Sequence, residues 1–291
     1  MKIIEPKVEL WQQGKDVKAH VARCARICYK RETGNDEATY MRLINSHHWS
    51  MFRHETVYAM VPALAWRGAF GMAINKYIES PYIKWITCHD YIYVATNANF
   101  MLDREKDNPV LWKYIHEHGV SEVEFNSCQA AFENLARWTF CVDTQISTSR
   151  ELNRVSPNSI AEKSTRYVYE DGSICKPHWM TDEEVDYLNN EPIFEEWCNS
   201  HKKASIFRDS CNDSFNKYKR LVDIGMHRQD ARGVLPLDTA TRCVYTYSIN
   251  EWRHIIDLRY YGITGKPHPN AKIIAGMVRN NLMELGYDFR D

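Results

Sequence analysis

The sequence predicts an α+β fold, a sheet flanked by long helices, on three observations. Apolar residues recur at helical spacing in separate segments, among them Ile206, Cys211, Phe215, Tyr218 and Val222. Runs of β-favouring residues stand apart from these, as in the stretch from Glu55 to Val61. Neither G-x-G-x-x-G nor G-x-x-x-x-G-K-[ST] occurs, so a nucleotide would be held by side chains rather than by a Rossmann or phosphate-loop unit.

The 291 residues, 44% of them hydrophobic, allow one large domain or two small ones. No repeat, low-complexity tract or clean linker divides them, which favours a single domain over 1–291. A formal charge of −1 gives no general polyanion-binding surface and argues against a nucleic-acid partner. The nine cysteines are scattered, odd in number and form no C-x-x-C pair, as in a reducing cytoplasm. The opening MKIIEPKVELW lacks the apolar run of a signal peptide, and no stretch approaches the ~20 apolar residues of a membrane span. A soluble cytoplasmic protein with no membrane partner is expected.

In chain order, residues 1–11 read as a short strand around Val8, Glu9 and Leu10. Val17, Val21, Cys24 or Ala25, and Cys28 then recur at helical spacing, and the two cysteines fit a buried helix face better than a zinc site. A second helix follows Asp36, with Tyr40, Leu43, Ile44 and His47 on one side. His47, His48 and His54 lie close in sequence without further Cys or acidic residues, so stacking, hydrogen bonding or a structural role is expected there and no metal. Residues 62–120 are aromatic-rich and read as core or subunit interface. Ser121 and Glu124 form a capping box for a helix through Phe125, Cys128, Phe132, Leu135 and Trp138. After Tyr167, VYEDGSICKPHWM reads as a linker. Thr181 with Glu184 and Ser248 with Glu251 cap two further helices, and a last helix runs from about Asn270 to a cap at Gly286.

The stretch Ser149 to Tyr167, SRELNRVSPNSIAEKSTRY, collects the polar chemistry. It holds Arg150, Arg154 and Arg166 beside Glu151, Glu162, Ser159, Ser164 and Thr165. Guanidinium forks match phosphate oxygens, hydroxyls add hydrogen bonds, and the carboxylates can orient arginines or accept from a base or sugar. Composition alone favours a blander reading, a solvated loop laced with surface ion pairs.

The stretch resembles the signature of the flavin-dependent thymidylate synthases, R-H-R followed at fixed spacing by S-x-R-Y. Arg154 takes the first arginine, Ser164, Arg166 and Tyr167 fall at the family spacing, and SRELNR reproduces the opening of one branch. Three more blocks resemble the family in order: ARICYK; His48, Ser50 and His54 before a strand; and DARGVLP with Arg232, followed by His254, Leu258, Arg259 and His268. The resemblance implies C5 methylation of dUMP to dTMP, with FAD, NADPH and methylenetetrahydrofolate, in a homotetramer with shared active sites.

By the same resemblance, Glu151, Arg154, Glu162, Ser164, Arg166, Arg232 and Arg259 would hold the pyrimidine nucleotide. Arg166 and the backbone near Ser164 would take the 5′-phosphate, and Glu151 and Glu162 the sugar. Arg259, helped by Arg232, would stabilise the charge that develops on the ring as C5 becomes nucleophilic. His48, Ser50, Arg154, Glu162, His254 and His268 would lie on the cofactor side. The chain departs from the pattern at Val155 and Ser156, in place of His and Arg, at Arg53 in place of Glu, and at Asn99 and Lys272 in place of Arg. Weak flavin binding is therefore expected. Two alternatives stay open: C5 methyl or hydroxymethyl transfer on another pyrimidine nucleotide, and a nucleotide-binding homologue that has lost flavin and catalysis.

Overall fold

The computed structural model describes residues 1–192 and 194–289. Its strands are β1 (Lys2–Ile4), β2 (Lys7–Trp11), β3 (Thr56–Pro62), β4 (Lys84–Cys88), β5 (Tyr91–Asn97), β6 (Gly119–Val120), β7 (Arg137–Gln145), β8 (Ile160–Glu162), β9 (Ser173–Cys175) and β10 (Ala240–Ser248). A central antiparallel sheet runs β2-β7-β10-β8 and a second runs β4-β5-β3-β6, while β1 pairs in parallel with β9. The fold is mixed α+β.

Alternation along β7 and β10 gives the central sheet two different faces. Trp138, Phe140 and Val142 join Cys243, Tyr245 and Tyr247 on one side, under the helices Ile249–Ile256 and Pro269–Glu284. On the other, Cys141 and Val244 meet Trp11 of β2 together with Cys24 and Ile27 from the helix Val17–Arg26 and the turn after it. Cys24 is thus on a buried helix face, and Cys28 is half-buried. The aromatic region divides: Phe70, Ile74, Ile92, Val94 and Leu111 form a core at the second sheet, while Leu64, Met72 and Ile78 stay exposed.

Both capping boxes at Thr181 and Ser248 form with their reciprocal hydrogen bonds. The helix expected from Ser121 to Trp138 is instead two, Glu122–Asn126 and Gln129–Leu135, and Trp138 already lies in β7. The apolar period runs by coincidence into RWTFCVDTQ, whose β-favouring residues pair with β10 along its whole length and with β2 on its other side. The supposed linker after Tyr167 supplies β9, with Ile174 and Cys175 buried. His47 falls outside the second helix, Asp36–Asn45, in the left-handed region at φ 55°. Ile206 is 67% exposed, which narrows the apolar stripe of the helix Lys202–Asp223 to Cys211, Phe215 and Tyr218. Among the described residues no helix is long and apolar enough to cross a membrane.

A chain of buried polar groups crosses from the first helix to the central sheet. His20 Nε2 is 3.3 Å from Thr139 Oγ1, Thr139 Oγ1 is 2.7 Å from Thr246 Oγ1, and Thr246 Oγ1 is 2.8 Å from His54 Nδ1. Burial, helped by Arg23, pushes His20 down to about 4, and burial pushes His54 down to about 3. Both values lie below the unfolded 6.5, so the unfolded chain binds the extra protons and the stabilisation is lost as pH falls below about 6.5. Stability to urea at pH 5 is expected to be lower than at pH 7.5 by roughly 2–4 kcal/mol, since each tenfold difference in proton affinity is worth ~1.4 kcal/mol. An unfolding free energy flat across that interval would mean that neither histidine is held neutral.

Candidate functional site

The polar stretch begins as a helix, Ile146–Leu152, turns through a cis Ser156–Pro157 peptide, and enters the sheet as β8. Pairing with Cys243 of β10 fixes the backbone of Glu162 at the end of that strand. Its Oε1 accepts hydrogen bonds of 3.0 Å from Ser149 Oγ and 3.0 Å from Thr241 Oγ1. Immediately after, the Ser164 N–H donates to the Cys28 carbonyl at 3.1 Å, and Ser164 Oγ accepts the Arg166 N–H at 3.3 Å. Arg232, exposed on the turn after the helix Arg228–Ala231, reaches back and donates to Thr165 Oγ1 at 2.9 Å. Arg150, Glu162, Ser164, Thr165 and Arg232 line one cleft of about 580 Å³. Arg166 is not in its lining; its guanidinium lies 3.4 Å from Gln229 Oε1 and 5.3 Å from the Tyr167 ring centre.

Arg259 belongs to a second group. It sits where the helix Ile249–Ile256 widens into a π turn, Asp257–Tyr261, an irregularity often found at functional sites. Its Nε donates to the Glu151 carbonyl at 2.7 Å, and a guanidinium NH2 pairs with Glu151 Oε2 at 3.1 Å. Arg154 approaches the same carboxylate oxygen at 3.6 Å and also donates to the carbonyls of Arg150 and Asn153. Burial and the Arg154 charge lower the affinity of Arg259 for its proton, and Glu151 opposes them. Arg259 is not in the lining of the cleft that holds Arg232, although its partner Glu151 directly follows Arg150 of that lining. Seven side chains expected around one nucleotide divide between the cleft, the Glu151 cluster and the outlying Arg166.

A third group lines a cleft of about 640 Å³ between the second sheet and the helix Ile249–Ile256. Tyr82, Trp85, Arg137, Arg154, Ser156 and His254 are on its walls. Val155 is there too, but is only 9% exposed because it packs into the main core. The charge reversal at Arg53 has a structural role: NH1 donates to the Asn158 carbonyl at 2.7 Å and so holds the turn that follows Val155 and Ser156. Asn99 donates to the Trp49 carbonyl at 2.9 Å. His48 and Ser50 are exposed on the short turn Trp49–His54 and its flank, and His48 Nδ1 is 2.8 Å from Ser46 Oγ. His268 accepts the Asn270 N–H at the start of the helix Pro269–Glu284 and faces the His178 ring. None of these three lines either cleft.

Sequence reasoning counted Arg150 and Thr165 among the phosphate-suited groups of the polar stretch without a specific place in the site, and it missed Arg137. The first two lie inside the polar stretch and were legible as guanidinium and hydroxyl. Arg137 carries no local signal, since only the packing of β7 against the helix Ile249–Ile256 places it on the cleft.

The family model described as thymidylate synthase complementing protein matches residues 93–280. The flavin-dependent thymidylate synthase of Thermosipho melanesiensis is 26% identical over 155 residues, 53% of this chain and 63% of the relative. That of Haloarcula marismortui is 26% identical over 133 residues, 46% of this chain and 50% of the relative. The match thus spans less than two thirds of the length of these relatives. Among solved structures, the UMP/dUMP methylase PolB from Streptomyces cacaoi bound with 5-Br dUMP superposes with a TM-score of 0.46 at 17% identity, over 98% of this chain and 93% of that one. With the family model matched over more than half of its length, the chain belongs to the thymidylate synthase complementing protein family, the family of the flavin-dependent thymidylate synthases.

Proposed function

We propose that the protein methylates C5 of dUMP to give dTMP, with methylenetetrahydrofolate as carbon donor, FAD as redox cofactor and NADPH as reductant. One observation carries the reading: Glu162, Ser164, Thr165, Arg150 and Arg232 converge on a single cleft. Two guanidiniums and two hydroxyls suit a phosphate, and a carboxylate held by Ser149 and Thr241 suits the hydroxyls of a sugar. Ser164 binds rather than attacks. Its neighbour Lys163 cannot serve as its base, because Nζ is held by Glu170 at 2.7 Å and by the Ala240 carbonyl. Arg259, placed by Glu151, supplies the positive charge that stabilises an enolate-like uracil ring.

The donor set of the larger cleft fits a flavin. Tyr82 and Trp85 offer aromatic walls, and Arg137 offers a buried guanidinium whose Nε has no hydrogen bond among the described residues. FAD bound there would supply the reducing equivalents that take the transferred carbon to a methyl group. The residues of the chain orient, exclude water and stabilise charge. That Arg259 lies outside the lining of the cleft that holds Arg232 supports a homotetramer in which a second copy completes each site. A cytoplasmic location fits the free cysteines.

Purified protein given dUMP, methylenetetrahydrofolate, FAD and NADPH is expected to form dTMP and to release the C5 hydrogen to water, and to scatter light as a tetramer. Absence of any calorimetric heat at millimolar dUMP, with or without FAD, would remove the nucleotide assignment. A monomer at micromolar concentration would remove the shared sites.

A further inference from the structure

Arg137 opens β7, and its side chain is only 8% exposed. Its hydrogen bonds are few and long for a buried guanidinium. One NH2 group donates to the Arg53 carbonyl at 3.4 Å and to the Thr246 carbonyl at 3.3 Å, and Nε has no partner among the described residues. NH1 is 4.0 Å from Glu251 Oε2. That oxygen is already taken, because it accepts the Ser248 N–H at 2.7 Å and the Ser248 hydroxyl at 2.8 Å in the helix cap. A buried charge left with its fork half used is costly unless something else completes it.

Arg137 is among the residues that line the 640 Å³ cleft with Tyr82 and Trp85. The other arginine there, Arg154, is committed to Glu151 and to two carbonyls, and Lys84, the remaining cation of the lining, is exposed to solvent rather than buried beside the aromatic walls. Val155 and Ser156 bring no charge to the same wall. We infer that Arg137 is the anchor for the oxyanion of a planar ligand seated in this cleft, a positioning role taken from the sheet rather than from the loop. The ligand class is an aromatic cofactor with a phosphate or carboxylate, either the phosphate of a flavin nucleotide or the glutamate of a folate. The inference rests on the reading of this cleft as a cofactor site.

The test compares ligands with and without the oxyanion, by equilibrium binding to the wild-type protein, Arg137→Gln and Arg137→Lys. FMN is set against riboflavin, and folate against its neutral dimethyl ester. The wild type is expected to prefer the charged member of one pair by at least about tenfold, as a charge-assisted bond warrants. Arg137→Gln should erase that preference while binding of the uncharged member stays within about threefold, and Arg137→Lys should restore part of it. Equal weakening of both members of each pair marks a purely structural arginine and overturns the inference. Should Arg137→Gln fail to fold, the wild-type preference must fall as salt rises from 0.05 to 0.5 M, and a salt-independent preference overturns the inference as well. A preference in the folate pair alone keeps the anchor and refutes the flavin assignment. Binding of none of the four refutes both.

Discussion

Arg232→Ala is expected to weaken dUMP about 100-fold while leaving deoxyuridine, which has no phosphate, within about threefold. The side chain is exposed on a turn, donates to Thr165 Oγ1, and lines the cleft with Ser164 and Arg150. Its loss removes no core contact, so the fold should stand. A charge-assisted bond is worth ~1.5–3 kcal/mol, so the loss of one such bond to the phosphate accounts for about one to two orders of magnitude. Calorimetric titration of both ligands at one fixed salt concentration reads the difference directly. Arg166→Ala should cost only about threefold, because its guanidinium is outside the cleft and rests on Gln229. Equal losses of dUMP and deoxyuridine in Arg232→Ala would place this arginine away from the phosphate. A larger effect at Arg166 than at Arg232 would show that the phosphate is held where a second copy completes the site.

That expected ordering differs from the one the signature implies, which gives the phosphate to Arg166, and the difference rests on which side chains share a wall. A motif fixes spacing along the chain, but the antiparallel pairing of β10 with β7 and β8 decides which side chains share a wall. Glu162 and Ser164 were legible because they flank the end of a strand in one short stretch. The partners of Arg232 and Arg259 were not, since each is positioned by a residue far away in sequence, Thr165 in one case and Glu151 in the other. Helix starts were legible wherever a capping box is satisfied locally, as at Thr181 and Ser248. Strand β9 was hidden because it has three residues and takes its hydrogen bonds from β1. The reversal at Arg53 became intelligible only when its partner proved to be a carbonyl, that of Asn158, for which a glutamate could not substitute as donor.

Restoring the two signature letters should have opposite effects. Val155 is 9% exposed and packs with Leu152 and Tyr245 in the main core, so Val155→His puts an imidazole where a branched aliphatic was. The lost apolar burial, ~1.5 kcal/mol, and the desolvation of a polar ring, ~1–3 kcal/mol, add to a destabilisation of about 2–4 kcal/mol. That corresponds to a fall in melting temperature of roughly 5–12 °C. The loss should deepen from pH 8 to pH 6, because the unfolded chain can protonate the new histidine and the buried one resists it. Ser156 is exposed on the cleft wall, and Ser156→Arg should leave stability within ~0.5 kcal/mol while adding a charge that faces the cofactor. Urea unfolding of both single variants and of the pair, with FAD titration of Ser156→Arg, separates the two effects. If Val155→His is as stable as the wild type at both pH values, the turn before Pro157 must swing out to place residue 155 in the cleft. The packing of Val155 would then not be what keeps the signature histidine out.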